Sequence, residues 1–220
     1  GIHAASGPRA KTPMVLFEIL SLLLTARRKW FWAGICGSLA FLVWQAAGIY
    51  ALVTFFLAIL QSEPGRPRIR NALYVIAGVL TPIIVVSLYF WSQGALKDFF
   101  DGAILFNLFY LERTSYTLLE HILRPIISVN IGYRSMALPI FIGFFMVLFM
   151  YAWRLRLYGA SFLELIRKDH FSAFLLSLPI IIIWSLVDFQ GYPDLYIFLP
   201  YVAIGFGWLL HLTLNSLLSI

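Results

Sequence analysis

The sequence predicts an all-α, polytopic transmembrane protein, and three observations lead there. The first is composition: 61% of the 220 residues are hydrophobic and 12% are charged. A water-soluble domain is roughly 45–50% apolar and about 25% charged, so this chain could not clothe its surface in polar groups. The second is blocking. Residues 73–91, 136–153, 171–187 and 195–210 carry no charge, and each block approaches the ~20 residues that a helix needs to cross a ~30 Å hydrocarbon core. The third is periodicity. Only helices and closed barrels satisfy their backbone in lipid, and stretches such as 179–184 (PIIIIW) lack the two-residue alternation of a barrel strand.

The elements follow in order once the charges are used to thread them. Lys and Arg concentrate at Arg27-Arg28-Lys29, at Arg66, Arg68 and Arg70, and at Arg154, Arg156, Arg167 and Lys168. The positive-inside rule assigns all three groups to the cytoplasmic side, which is the use we make of the net charge of +6; no nucleic-acid partner is expected from it. Residues 13–26 then form a first helix running inward. The apolar block 30–60 lies between two basic groups. As one helix it would be about 46 Å long and would put its basic ends on opposite faces. A hairpin resolves both problems, with short arms at 30–43 and 46–60, each rising roughly 21 Å. The turn falls at Trp44-Gln45-Ala46-Ala47-Gly48, where Gln45 is the one amide inside the block.

After a Pro/Gly/Arg loop at 63–70, residues 73–91 run outward. A long external, interfacial segment spans 92–135. Within it, Leu96, Phe99, Phe100, Ala103, Phe106 and Tyr110 recur at helical spacing, the pattern of an amphipathic helix lying in the interface. A weaker amphipathic stretch at 117–127 is expected to break at Pro125. Residues 136–153 return inward, 157–170 form a basic connection, 171–187 run outward, 188–194 make a short outer loop and 195–212 come back. The whole of 1–220 is thus read as one transmembrane domain. Because it starts at Gly1 with no charged leader before an apolar run, it is expected to be a fragment of a longer protein.

Common soluble chemistries are missing from the sequence. There is no Walker loop and no dinucleotide fingerprint after a strand. Cys36 is the only cysteine, and the histidines do not pair at metal spacing, so no residue is assigned as a metal ligand. Gly205 and Gly207 offer a small-residue packing surface. The polar side chains of interest gather at one depth, on the outer side. They are Gln45 at the hairpin tip, Asn107, Tyr110 and Arg113 in the external segment, and Tyr192 and Asp194 in the last outer loop. We take these as candidate substrate-binding residues. Glu18 stands apart, inside the first apolar block, where a carboxyl must find a partner on another helix or snorkel outward.

Four stretches also resemble a family. Residues 33–52, AGICGSLAFLVWQAAGIYAL, resemble the hairpin of GT-C membrane glycosyltransferases of the protein-mannosyltransferase and lipid A aminoarabinose-transferase type. Residues 93–113 (QGALKDFFDGAILFNLFYLER) and 191–204 (GYPDLYIFLPYVAI) resemble that family's outer segment and last loop, and residues 9–34 its approach to the hairpin. The matches are colinear over nearly the whole chain.

The resemblance implies an integral, multi-pass enzyme of a bacterial inner membrane. Such enzymes move a sugar from a polyprenyl-phosphate donor to a lipid or protein acceptor on the outer face. It also implies a carboxylate base early in the chain, here expected upstream of Gly1. A cation or a divalent metal beside the phosphate would stabilise the leaving charge, and Arg113, Arg124 and Arg134 are the outer basic residues suited to that contact. Two positions depart from the pattern: Trp44 stands where relatives often carry Lys, and Asp194 where they often carry His. A multi-pass transporter or lipid flippase is the alternative. It would predict an inverted repeat with broken helices at mid-membrane, and no second hairpin like 30–60 occurs. A non-catalytic scaffold would predict no polar convergence on one side.

Overall fold

The computed structural model describes residues 11–61, 68–102, 118–157, 161–169, 171–187 and 192–218. Among these the chain is all-α, without a strand. Its helices are α1 (Lys11–Ala26), α2 (Trp30–Val43), α3 (Ile49–Leu60), α4 (Arg68–Ser92), α5 (Leu96–Phe100), α6 (Leu118–Tyr133), α7 (Ala137–Leu157), α8 (Phe162–Lys168), α9 (Ser172–Val187) and α10 (Leu199–Leu218). Tight 3-10 turns at Gln45–Gly48, Arg134–Met136 and Tyr192–Phe198 join three of the pairs.

Three helical stretches are long and apolar enough to cross a membrane: Arg68–Ser92, Ile122–Leu157 and Asp194–Leu218. Their outer faces are apolar as well. Leu80, Ile84, Val85, Leu88 and Trp91 on α4, and Phe145, Phe149 and Trp153 on α7, are all exposed. Faces of that size suit lipid and not water, so the chain is a membrane protein by the length and surface of its helices.

Between α2 and α3 the chain folds back on itself. Helix α2 stops because Trp44 adopts an extended backbone (φ −154°, ψ 120°), and the chain reverses through Gln45–Gly48 into α3. The arms touch closely: a Cβ on Gly37 would lie 2.9 Å from the Ala51 nitrogen. Their 14 and 12 residues rise about 21 and 18 Å, short of a full crossing. Helix α2 is packed between α1 and α4, and α3 lies against α2, α4 and α9. Helices α7 and α10 form a second tight pair, where a Cβ on Gly205 would collide with the Gly143 carbonyl. The buried core runs through both parts and includes Met14, Leu22, Leu57, Leu165, Leu178, Ile181 and Ile197.

Several boundaries differ from the sequence expectation. Helix α6 does not break at Pro125 but continues through it to Tyr133. Proline removes one backbone donor and strains one turn, and here Val129 and Tyr133 pack with Ala137 and Phe141 of α7 and with Leu195 and Phe198 of the last 3-10 turn. The real bend comes later, at Arg134, whose backbone is left-handed (φ 45°). The basic connection 157–170 contains a helix, α8, capped by the Ser161 hydroxyl accepting the Glu164 N–H. The last span opens with a 3-10 turn, Tyr192–Phe198, before α10 begins. The amphipathic helix expected at 96–110 is seen as α5 with a π-type turn at 101–102; the rest of it lies outside the described residues.

The basic groups collect at one end of the bundle. Arg28, Lys29, Gln61 and Asn71 line one pocket. The Gln61 amide donates to the Ile166 carbonyl (2.8 Å) and to Ser172. Arg154 pairs with Asp169 and lies over the Phe171 ring. The hairpin tip, the start of α1 and the Tyr192–Phe198 turn meet at the opposite end.

Candidate functional site

That opposite end holds an assembled polar cluster. Lys11, on the first turn of α1, forms an ion pair with Asp194, which is 3% exposed. The Lys11 ammonium also sits 4.0 Å from the centre of the Trp44 ring. Trp44 stands edge-on to Trp184 of α9, with centroids 4.8 Å apart. Four separate elements therefore converge: α1, the hairpin tip, the end of α9 and the last 3-10 turn. An ammonium held between a carboxylate and an aromatic face is fixed in place by charge and by the ring quadrupole together.

Beside this cluster an apolar groove of about 520 Å³ descends along α1, lined by Thr12, Val15, Leu16, Ile19, Tyr196 and Leu199 together with Tyr133. The Tyr133 and Tyr196 rings lie 6.4 Å apart across it. The combination of a charged head and an apolar trough is suited to an amphiphile.

The sequence candidates divide accordingly. Asp194 is in the cluster. Gln45 is half-buried in the turn that follows Trp44. Asn107, Tyr110 and Arg113 lie outside the described residues, as does the side chain of Tyr192, whose backbone starts the 3-10 turn. Arg134 is exposed immediately after Tyr133, and Arg124 lies within α6. Asp194 turned out not to be a free outer-loop carboxylate. It is buried against Lys11 because the 3-10 turn draws it under the start of α1. Lys11 was not singled out as a site residue; its signal was its place as the last charge before an apolar helix.

Glu18 is fully buried and accepts a hydrogen bond from the Tyr50 hydroxyl of α3 on Oε1. Its Oε2 has no partner among the described residues. Tyr201 of α10 is buried next to Tyr50, and its hydroxyl shares a 2.7 Å hydrogen bond with Ser177 of α9. Four helices are thus tied together by polar groups inside an otherwise apolar core. Below them, Thr25 and Thr54 share a 2.7 Å hydrogen bond between α1 and α3.

The chain matches no family model, no curated protein and no solved structure.

Among the described residues no three His, Cys, Asp or Glu side chains come together as a metal site. Asp194, the acidic member of the cluster, is already committed to Lys11. Among the described residues the cation held in this cluster is the Lys11 ammonium.

Proposed function

We propose that the chain is the membrane-embedded part of a GT-C type glycosyltransferase. In this reading it is multi-pass in a bacterial inner membrane, with the Lys11–Asp194 end facing outward, and it takes sugar from a polyprenyl-phosphate donor for a lipid or protein acceptor. The observation that carries this reading is the position of Lys11. Where the resembling family often has a lysine at the hairpin tip, this chain has Trp44, and Lys11 of another helix sits over that tryptophan ring. The cation missing from the tip is supplied from α1, at the head of an apolar groove.

In such a transfer the acceptor oxygen attacks the anomeric carbon as the carbon–oxygen bond to the phosphate breaks. The phosphate leaves with the electron pair, and the acceptor proton passes to a carboxylate. Lys11 would face the departing phosphate, where a fixed positive charge stabilises developing negative charge. The groove would hold the first isoprene units. No described residue is assigned as the base.

The test is photo-crosslinking with a diazirine-bearing polyprenyl phosphate in membranes containing the protein. Label is expected on peptides from α1 and from the Tyr192–Phe198 turn, and Lys11→Gln should reduce it at least several-fold. Equal labelling of all helices, or indifference to Lys11→Gln, would remove the support. A transporter or flippase is the second reading. It is favoured by Glu18, since carboxyls buried inside membrane bundles often serve translocation. Under that reading Glu18→Gln abolishes uptake or lipid flipping in proteoliposomes, while polyprenyl-phosphate labelling is absent.

A further inference from the structure

We propose that the apolar pocket beneath α6 takes the carbonyl end of a glycerolipid acyl chain, with the Ser185 hydroxyl donating a hydrogen bond to the ester carbonyl. The pocket has a volume of about 190 Å³ and lies between α6, the start of α7, the end of α9 and the start of α10. Tyr133 and Leu199 separate it from the groove along α1, since both residues line the two spaces. It rests on neither of the functional readings given above.

The lining is hydrocarbon with a single hook. Among the described lining residues only Ser185 and Tyr133 carry a polar side-chain atom, and none carries a charge. Ser185 is 4% exposed, and its Oγ has no hydrogen-bond partner among the described residues. A serine inside a helix commonly returns its proton to the carbonyl one turn back. Ser177 does so two turns earlier in the same helix, donating to Ala173 (2.7 Å). A buried hydroxyl left unpaired is costly, so the partner of Ser185 belongs to whatever fills the pocket. A water is a poor candidate, because a buried water makes about three polar contacts and this lining is too apolar to supply them.

Size, depth and access point to the occupant. An apolar cavity of about 150 Å³ holds a molecule the size of benzene, so about 190 Å³ takes a few methylene groups and not a whole lipid. Ser185 stands in the last turn of α9, and helix ends mark the border of the hydrocarbon core, the level at which glycerolipids carry their ester groups. Ile182 of α9, Phe144 of α7 and Val202 of α10 line the pocket further from that border, along the path a chain takes into the bilayer. Ile122 (45% exposed) and Ile126 (46%) of α6 form its rim, so the pocket opens past apolar side chains that suit lipid. The described lining offers no cation to a phosphate or a carboxylate. An uncharged acceptor remains, and the ester carbonyl is the one that glycerolipids present at this depth.

The experiment is native mass spectrometry of the full chain in detergent supplemented with equal amounts of diacyl and dialkyl phosphatidylcholine, which differ in ester against ether linkage. The wild type should retain the diacyl form about fivefold over the dialkyl form, the worth of one ordinary hydrogen bond. Ser185→Ala should bring that ratio to about one. Ile126→Trp places a larger side chain across the rim at an exposed position and should cut retention of both lipids several-fold, with helicity by circular dichroism unchanged. Thr81→Ala removes an exposed hydroxyl from α4 and should behave as wild type. A wild type without the preference, or a preference that survives Ser185→Ala, would refute the hydrogen bond and the ester assignment with it. Full retention in Ile126→Trp would place the lipid elsewhere and overturn the site, and so would a loss of preference in Thr81→Ala equal to that in Ser185→Ala.

Discussion

Removing the Tyr50 hydroxyl should destabilise the protein more than its size suggests. The hydroxyl donates to Glu18, a fully buried carboxyl whose other oxygen has no partner among the described residues. Tyr50→Phe deletes one oxygen and opens little space, so cavity terms stay small. It does strip the carboxyl of that partner. Orphaning a buried polar group costs about 1–3 kcal/mol, more when it is charged. Glu18→Leu acts differently: it removes the demanding group, and the Tyr50 hydroxyl retains Tyr201 as a neighbour. Once Glu18 is leucine, Tyr50→Phe should be close to neutral. The cycle Glu18→Leu, Tyr50→Phe and the double variant should therefore show a coupling of about 1–2 kcal/mol, within the range for contacting residues. Thermal unfolding in detergent, followed by circular dichroism, is the assay, and Tyr50→Phe should lower the midpoint by several degrees. Additive effects in the double variant, or a Tyr50→Phe midpoint equal to wild type, would refute the claim that this hydrogen bond matters to the core.

Three other outcomes are expected. With Cys36→Ser as background, Gln45→Cys should react with a membrane-impermeant maleimide added outside intact cells, and Lys29→Cys only after permeabilisation; the reverse pattern would overturn the hairpin's orientation. Gly205→Ala should cost about 1–3 kcal/mol by forcing α7 and α10 apart, because its Cβ meets the Gly143 carbonyl. Gly207→Ala, with nothing within 4 Å of the added carbon, should gain up to about 1 kcal/mol of helix propensity, and unfolding midpoints that moved together would contradict the crossing. Arg154→Ala should destabilise by about 1–2 kcal/mol, since Arg154 is only partly exposed and leaves the buried Asp169 with the Phe171 N–H; an unchanged unfolding midpoint would mean that water replaces the arginine without loss.

How much was legible depended on the range of the forces involved. The hairpin could be read because block length, flanking charge and one amide, Gln45, all constrain the same turn locally. The spans could be read from the absence of charge. Helix α8 was legible in principle, since Ser161 and Glu164 stand at capping-box spacing, but the basic residues around it drew attention to topology instead. The continuation of α6 through Pro125 was not legible: the local proline rule is overridden by packing against α7 and the Tyr192–Phe198 turn. The partners of Glu18 and Asp194 were beyond reach for the same reason. Tyr50 looks like any aromatic in an apolar arm, and Lys11 is 183 positions from Asp194. No pattern within one helix announces a contact of that separation.

The contact of α2 with α4 has one more consequence. A Cβ on Gly34 would strike the Val75 carbonyl, and one on Gly78 the Phe31 carbonyl, so the two backbones touch near the basic end of the hairpin. The hairpin is thus riveted to α4 close to its base. Its arms are fastened to each other at Gly37 and Ala51. Its tip is held as well, with Ala40, Ala47 and Tyr50 fully buried and Trp44 against Trp184. Trp44 lies ten residues beyond Gly34 in the sequence, about 15 Å along the helix. Pinned at both ends, the hairpin is a strut that fixes how far the Trp44 ring, and the Lys11 ammonium over it, stand from the basic end.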